Sequence, residues 1–334
     1  MKDFPAYLGF GAAALLGLGI FSLGARNLWR AGASSYWPTA TATVVESSTS
    51  QTITGGRPSR RSPDDTPSVM YMANIKFQFQ VNGRSYRTDQ IYIGQTVGSG
   101  DSSDAELRRL RYPLGAQLTV SYDPSDPSIA SVHPGFQADV LWLPGAGLAF
   151  LAPTLMAFLL VRNSGRGASG MAMGAAIFSL IFITVGSVIL FFGGRALWRA
   201  WRSPTWPTTR GVIVYGHRDE SQATTHTRDG DFTSTVHGAR LIFRYEVDGR
   251  THFSNTRRFG QLAGADEEWA ESIARQYPLG REVTVWHRRD LPDLATLEPG
   301  ASKEALWAPG AGAAFFLFGL AVLIFGVPAL SRGW

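Results

Sequence analysis

The side chains with the widest chemical reach in this chain crowd into one stretch: His217, Asp219, Glu220, His226, Asp229, Asp231 and His237. Imidazoles and carboxylates at this density can ligate zinc without thiolates, and the chain has no cysteine to offer. Strand alternation would put His217 on the face of Ile213 and Tyr215, and His237 on the face of Leu241 and Phe243. If those strands pair, both imidazoles reach one end of a sheet, with His226 in the loop between. The spacing matches no compact zinc signature, so the plainer expectation is a solvated polar loop with no metal and no cofactor.

Other chemistry has less support. No Gly-x-Ser-x-Gly elbow and no Ser-x-x-Lys occurs, and no histidine is placed by sequence beside a candidate nucleophile. Asp123, Asp126 and Asp290 sit beside prolines or at strand ends, where carboxylates form turns. The glycine-rich stretch 94–100 lacks the strand, glycine spacing and lysine of a phosphate loop. No small-molecule substrate is identifiable.

The elements that would position these residues are written twice. Leu28-Trp29-Arg30-Ala31 and Trp37-Pro38-Thr39 return as Leu197-Trp198-Arg199-Ala200 and Trp206-Pro207-Thr208, and Tyr112-Pro113-Leu114-Gly115 returns as Tyr277-Pro278-Leu279-Gly280. Each copy closes on the same opening, Leu141-Trp142 with Pro144-Gly145-Ala146-Gly147, then Leu306-Trp307 with Pro309-Gly310-Ala311-Gly312. The chain is a tandem duplication, to be read as one unit met twice. The earlier copy has no histidine where the later one has its cluster.

A mean hydropathy of -0.02 hides a segregation of apolar residues into blocks at 4–25, 140–161, 171–194 and 305–330, none containing Asp, Glu, Lys, Arg or His. Each reaches the roughly 20 residues that span a bilayer as a helix. The expected fold is therefore an integral membrane α+β protein: four transmembrane helices carrying two small antiparallel β domains, each with a short helix. The boundaries are 1–28 (first helix), 29–138 (first β domain), 139–162 (second helix), 163–170 (short loop), 171–196 (third helix), 197–303 (second β domain) and 304–334 (fourth helix). The first block has features of a signal peptide, but its internal counterpart favours a retained anchor. Trp29, Arg30, Trp37, Trp142, Trp198, Arg199, Trp206 and Trp307 stand at block ends, as an interfacial belt requires.

A net charge of +5 would suit nucleic acid, but much of it lies at Arg26, Arg30, Arg195, Arg199 and Arg202, beside membrane ends where lipid phosphates are the available anions. The expected partners are the bilayer and another protein, with self-association among the options and nucleic acid excluded. An even number of crossings per repeat puts both β domains on one side. Lys2, Arg162, Arg166 and Arg332 lean that side towards the exterior of a cytoplasmic membrane.

Inside each polar region the hairpin signals are Phe77-Gln78-Phe79-Gln80-Val81 before Asn82-Gly83, and Phe243-Arg244-Tyr245-Glu246-Val247 before Asp248-Gly249. Ser103 to Glu106 has capping-box spacing ahead of a short helix over 107–111, and Asp266-Glu267-Glu268 opens a second helix through Ile273. Strands are expected at 41–46, 118–122, 211–215 and 283–287, and polar loops at 47–68 and 218–236.

Together, Trp-Pro-Thr after a helix, the Val-Asn-Gly-Arg or Val-Asp-Gly-Arg hairpin, and Tyr-Pro-Leu-Gly before a strand resemble the bacterial domain-of-unknown-function 3592 family across nearly all of both repeats. Tyr122-Asp123-Pro124 looks like that family's strand end, while the second copy departs from it with His287-Arg288-Arg289, which argues against a shared catalytic Asp123. The resemblance implies architecture and a bacterial source, and carries no activity; with the apolar blocks, the expected location is the bacterial inner membrane. A non-enzymatic protein-binding or scaffold module at the membrane is the expectation, as an accessory subunit or a toxin-immunity type. The alternatives are a metal-dependent membrane hydrolase using His217, His226 and His237, and a channel or transporter component. Transport is disfavoured by the absence of ionisable groups in the blocks.

Overall fold

The structure, a computed structural model, describes residues 4–54, 68–95, 98–163, 170–227, 230–261 and 266–328. The chain runs α1 (Phe4–Ser34), β1 (Thr39–Thr54), β2 (Ser68–Val81), β3 (Arg84–Thr88), β4 (Gly98–Ser99), α2 (Ser102–Arg111), β5 (Gln117–Tyr122), β6 (Ala130–Ser131) and α3 (Trp142–Asn163). The second copy repeats that order, without a counterpart of β4 among the described residues, as α4 (Gly170–Arg202), β7 (Thr208–Thr227), β8 (Gly230–Val247), β9 (Arg250–Ser254), α5 (Glu267–Gln276), β10 (Glu282–Arg288), β11 (Leu291–Thr296) and α6 (Trp307–Ala321).

Each polar region is one antiparallel sheet, ordered β3-β2-β1-β5-β6 with β4 on β2, and β11-β10-β7-β8-β9 in the second copy. The hairpins turn where the sequence signals it: Asn82 and Gly83 take φ of 50° and 76°, and Asp248 and Gly249 take 51° and 72°, as a two-residue turn with both central residues left-handed requires. Alternation then buries one face of each sheet. Val44, Ile75, Phe77, Phe79 and Val120 form one core, and Ile213, Leu241, Phe243, Tyr245 and Val285 the other. Full burial of side chains this size contributes about 1.5–3 kcal/mol each.

The segments 47–54 and 218–227, expected as loops, are continuous strand. β1 pairs with β2 out to Thr54 and Ser68, and β7 with β8 out to Thr227 and Gly230. Ladder hydrogen bonds satisfy this backbone, so both hairpins extend beyond their cores as ribbons, the first joined along part of its length by β4 on Tyr71 and Met72.

Each copy also carries a bulge in the same place, at Val45 between Val44 and Glu46 and at Val214 between Ile213 and Tyr215. The repeated Tyr-Pro-Leu-Gly holds it. Gly115 and Gly280, both at φ 80°, donate their N–H to the carbonyls of Val44 and Ile213 at 2.9 Å, just ahead of the bulge.

The helix-to-sheet joints are likewise duplicated. Ser34 Oγ donates to Ala31 O at 2.7 Å and accepts from Gly135 N at 2.8 Å, while Ser203 Oγ donates to Ala200 O at 2.8 Å and accepts from Gly300 N at 2.9 Å. The tryptophan of each Trp-Pro-Thr turns inward at the joint, Trp37 onto Ala31, Ile93 and Val140, and Trp206 onto Phe259 with ring centroids 5.6 Å apart.

The long helices stand in a row, α1 on α3, α3 on α4 and α4 on α6. Glycines set the closest approaches: a Cβ on Gly147 would lie 2.5 Å from Phe21 N, and one on Gly312 would lie 2.6 Å from Leu190 N. Gly24 against Pro144 and Gly193 against Pro309 repeat the device. Two helices, 174–205 and 304–326, are long and apolar enough to cross a membrane, and most of their surface is exposed, unlike the buried core helix of a soluble protein.

Candidate functional site

The bulge at Val214 decides where the histidines go. Ile213 pairs with Phe243, but Tyr215 pairs with Ile242, so beyond the bulge the faces exchange. His217, opposite Arg240, shares the face of Tyr215 and Ile242. His237, opposite Glu220, shares the face of Leu241 and Phe243. The two imidazoles therefore lie on opposite faces of the ribbon, contrary to the simple alternation, which places them together. His226 pairs with Asp231 near the ribbon tip. The side chain of His226 and those of Asp219, Glu220, Asp229 and Asp231 lie outside the described residues. Among the described residues no three His, Asp or Glu converge as a metal would need.

His217 instead lines a groove of about 360 Å³ between the two copies, facing Thr49, Gln51 and Tyr71 of the first ribbon and Ser102 and Glu106 of α2. This junction is the most organised polar site among the described residues. Helix α2 belongs to copy one and covers the inner face of its own sheet, with Ala105 buried and Tyr112 edge-on to Phe77 at 5.4 Å. Its other side rests on the outer face of the copy-two sheet, opposite the face that α5 covers.

Three sets of bonds fix the contact. Asp101 meets Arg240 at 2.8 Å; Asn255 donates to Ser103 Oγ at 3.0 Å and to Asp104 Oδ1 at 2.8 Å; and Arg111 donates to the carbonyl of Phe253 at 2.6 Å. Asp101 is also the N-cap, accepting from Ser103 N at 2.8 Å, so the helix begins two residues before the capping-box spacing suggests. Glu106 is bound to Arg109 instead. Burial raises the Asp101 carboxyl, working against its Ser103 hydrogen bonds and the Arg240 charge.

Below α2 the junction holds a titratable cluster. Tyr112 Oη and His133 Nε2 are 2.8 Å apart in copy one, and His252 Nδ1 and Asp293 Oδ1 are 2.9 Å apart in copy two. Burial lowers His133, which the Asp293 charge counteracts, and burial pushes the Tyr112 phenol up to about 12. Copy two sets Glu298 beside Tyr277, where copy one has His133 beside Tyr112. Glu298 accepts from Arg257 at 2.7 Å, Arg258 at 2.5 Å and Tyr277 at 2.9 Å. Burial alone would raise its carboxyl, but the Arg257 bond and charge lead a set of partners that hold it below its ordinary value.

Of the residues expected at a membrane interface, Trp29, Trp142, Trp198 and Trp307 are exposed, Arg30 and Arg199 half-buried, and Trp37 and Trp206 packed at the joints. Asp123 caps its own turn, accepting from Ser125 N at 2.9 Å, and Asp290 is bound to Arg288.

A duplicated helix-sheet-helix unit, with its sheets clamped by one shared helix and its long helices in a row, defines a two-repeat protein whose organised site is the junction between its own copies. The profile of the domain of unknown function DUF3592 matches residues 40–137 and again 209–302. The chain belongs to that family and holds two tandem copies of its domain. No curated protein matches the chain.

Proposed function

We propose that this protein is a non-enzymatic, four-span membrane scaffold of a bacterial cytoplasmic membrane, holding its two ribbons outside the cytoplasm to bind a partner protein. The observation that carries the reading is the clamp: α2 lies between both sheets, so two ribbons of different chemistry, Ser- and Thr-rich in copy one and His- and acid-bearing in copy two, are held at one spacing. Rigid elements that present variable surface are what a recognition module needs. Apolar blocks without ionisable groups suit anchoring over ion passage.

Photo-crosslinking amino acids at Gln51 and Thr224, in intact cells, test it. Capture of the same discrete protein from both ribbons supports the scaffold. Stoichiometric zinc in the purified protein, lost when His217, His226 and His237 are replaced together by alanine, would replace the scaffold with the hydrolase reading. Substrate-dependent flux in liposomes would replace it with transport. Single cysteines at the exposed Ser125 and at Ser221 that a membrane-impermeant maleimide fails to reach, with one at Ser164 labelled, would move the ribbons to the cytoplasm.

A further inference from the structure

The junction between the copies is one-sided. Every residue of α2 is at least half-buried, with Ser102 and Ser103 in the interior, whereas in α5 the equivalent Glu267 and Glu268 are exposed, with Ser272, Ala274 and Arg275. The repeated hairpin and Tyr-Pro-Leu-Gly motifs give the equivalences: Asp266 stands for Asp101, Glu268 for Ser103, Asn74 for Arg240, Lys76 for Ile242 and Asp89 for Asn255. A closed twofold would seat α5 on the first sheet as α2 is seated on the second. It does not: α2 packs on β7, β8 and β9, and among the described residues α5 packs substantially on its own sheet alone. The helix row repeats the asymmetry, with α3 meeting α4 at the junction and α1 and α6 left at the ends.

A contact of this heterologous kind leaves one donor and one acceptor surface open, and the same pairing can recur on the next molecule. The open donor is α5 and the open acceptor is the outer face of the first sheet, beside a groove of about 750 Å³ lined by Thr41, Thr43, Gln78 and Gln80. The internal bonds themselves are not repeated, since Asn74 stands where Arg240 meets Asp101 and Asp89 would face Glu268 where Asn255 meets Ser103; the attraction that is left runs between other groups. Asp266, Glu267 and Glu268 open α5, and Lys76 and Arg87 are exposed on the acceptor. Lys76 is bound to Glu46 at 2.7 Å, an exposed pair of the kind worth only about 0–1 kcal/mol and so readily exchanged.

We propose that the chain assembles head to tail with further copies of itself, α5 of one molecule docking on the outer face of the first sheet of the next. Lys76 in place of the buried Ile242 makes this contact more polar than the internal one, so salt weakens it first. The assembly does not depend on what the ribbons bind.

The absence of cysteine allows a direct test in native membranes with a short bismaleimide. Full-length chains carrying Asp89→Cys and Glu268→Cys, equivalents of the bonded Asn255 and Ser103, are expected to cross-link to each other when mixed and not to themselves when alone. A single chain carrying both is expected to give a ladder of multimers. Adding Lys76→Glu and Arg87→Glu should abolish the ladder while the chain still melts as a folded protein, and Glu267→Lys should restore part of the ladder. No cross-link in the mixture, dimers from either single variant alone, or capture of a different protein at position 89 would each overturn the assembly.

Discussion

Asp101 of the first copy and Arg240 of the second lie 2.8 Å apart across the junction, and Asp101 at the same time caps the helix that fills it. One carboxylate therefore starts α2 and fixes it to a sheet it is not connected to in sequence. A charged hydrogen bond of this partly buried kind contributes about 1.5–3 kcal/mol. Arg240→Ala should loosen the junction by that order, read as faster amide hydrogen exchange across 102–111 with β5 and β10 unchanged. A double-mutant cycle with Asp101→Asn should return a coupling of about 0.5–3 kcal/mol. A coupling of zero would mean that the buried Ile242 and the Asn255 and Arg111 bonds hold the copies together without this pair.

Glu298 is the residue whose loss should cost most. Arg257 is nearly enclosed, and without Glu298 it keeps its charge with its principal partner gone. Removing one member of such a pair costs about 3–5 kcal/mol. Glu298→Gln should therefore melt the second domain well below the first. The pH dependence follows from the same bonds. Because the folded carboxyl sits below its unfolded value, its stabilisation is present above the unfolded carboxylate range and is lost as pH falls through the folded value. Acid unfolding that begins in the second domain, and that Glu298→Gln flattens, is the expected record.

His133 titrates in a different window. Burial lowers its folded value, so the unfolded chain takes up a proton first and stability falls as pH drops below the ordinary imidazole value of about 6.5. A neutral ring can accept the Tyr112 hydroxyl at Nε2, while a doubly protonated ring has no acceptor left. Between pH 7 and 5 the first domain should lose stability, and His133→Gln should remove that loss. An unchanged pH profile in the variant would place the titration elsewhere.

Which features were legible follows from where their causes lie. Asn82-Gly83, Asp248-Gly249 and the apolar alternation beside them are local, and the hairpins stand where those signals put them. The family and its two copies were legible from repeated motifs for the same reason. The bulge was not, because Val45 and Val214 look like any strand valine and the kink comes from Gly115 and Gly280 docking some seventy residues away. That single extra residue exchanges the faces of everything after it, which is why His217 and His237 part. Nor were the ribbons visible, since the Ser- and Thr-rich arm at 47–54 lacks the alternation that marks a half-buried sheet and is held as strand by its pairing with β2. The one-sided junction turns on exchanges such as Ile242 for Lys76, which a sequence read one residue at a time passes over.

Gly115 and Gly280 permit a test of backbone cost free of crowding. Both are at φ 80° and a Cβ at either would meet nothing within 4 Å. Alanine there costs roughly 1–2 kcal/mol through left-handed strain alone. It should also release the N–H held by Val44 or Ile213, so exchange should accelerate at the bulge before it does elsewhere.

The helix row offers the sharpest contrast between neighbouring glycines. Gly147 and Gly312 leave a side chain no room, with Phe21 N and Leu190 N at 2.5 Å and 2.6 Å from the added carbon, while Gly145 and Gly310 face open space. Backbone atoms cannot swing aside as a side-chain tip can, so Gly147→Ala must part α1 from α3 and Gly312→Ala must part α4 from α6. Overpacking of this kind costs about 1–3 kcal/mol. Gly145→Ala and Gly310→Ala should cost nothing measurable, or gain slightly from the better helix propensity of alanine. Thermal melts of the four variants in one detergent would separate the pairs. Equal losses at all four would show that the helices are sensitive to any added carbon and that close approach at Gly147 and Gly312 has no special part in holding the row.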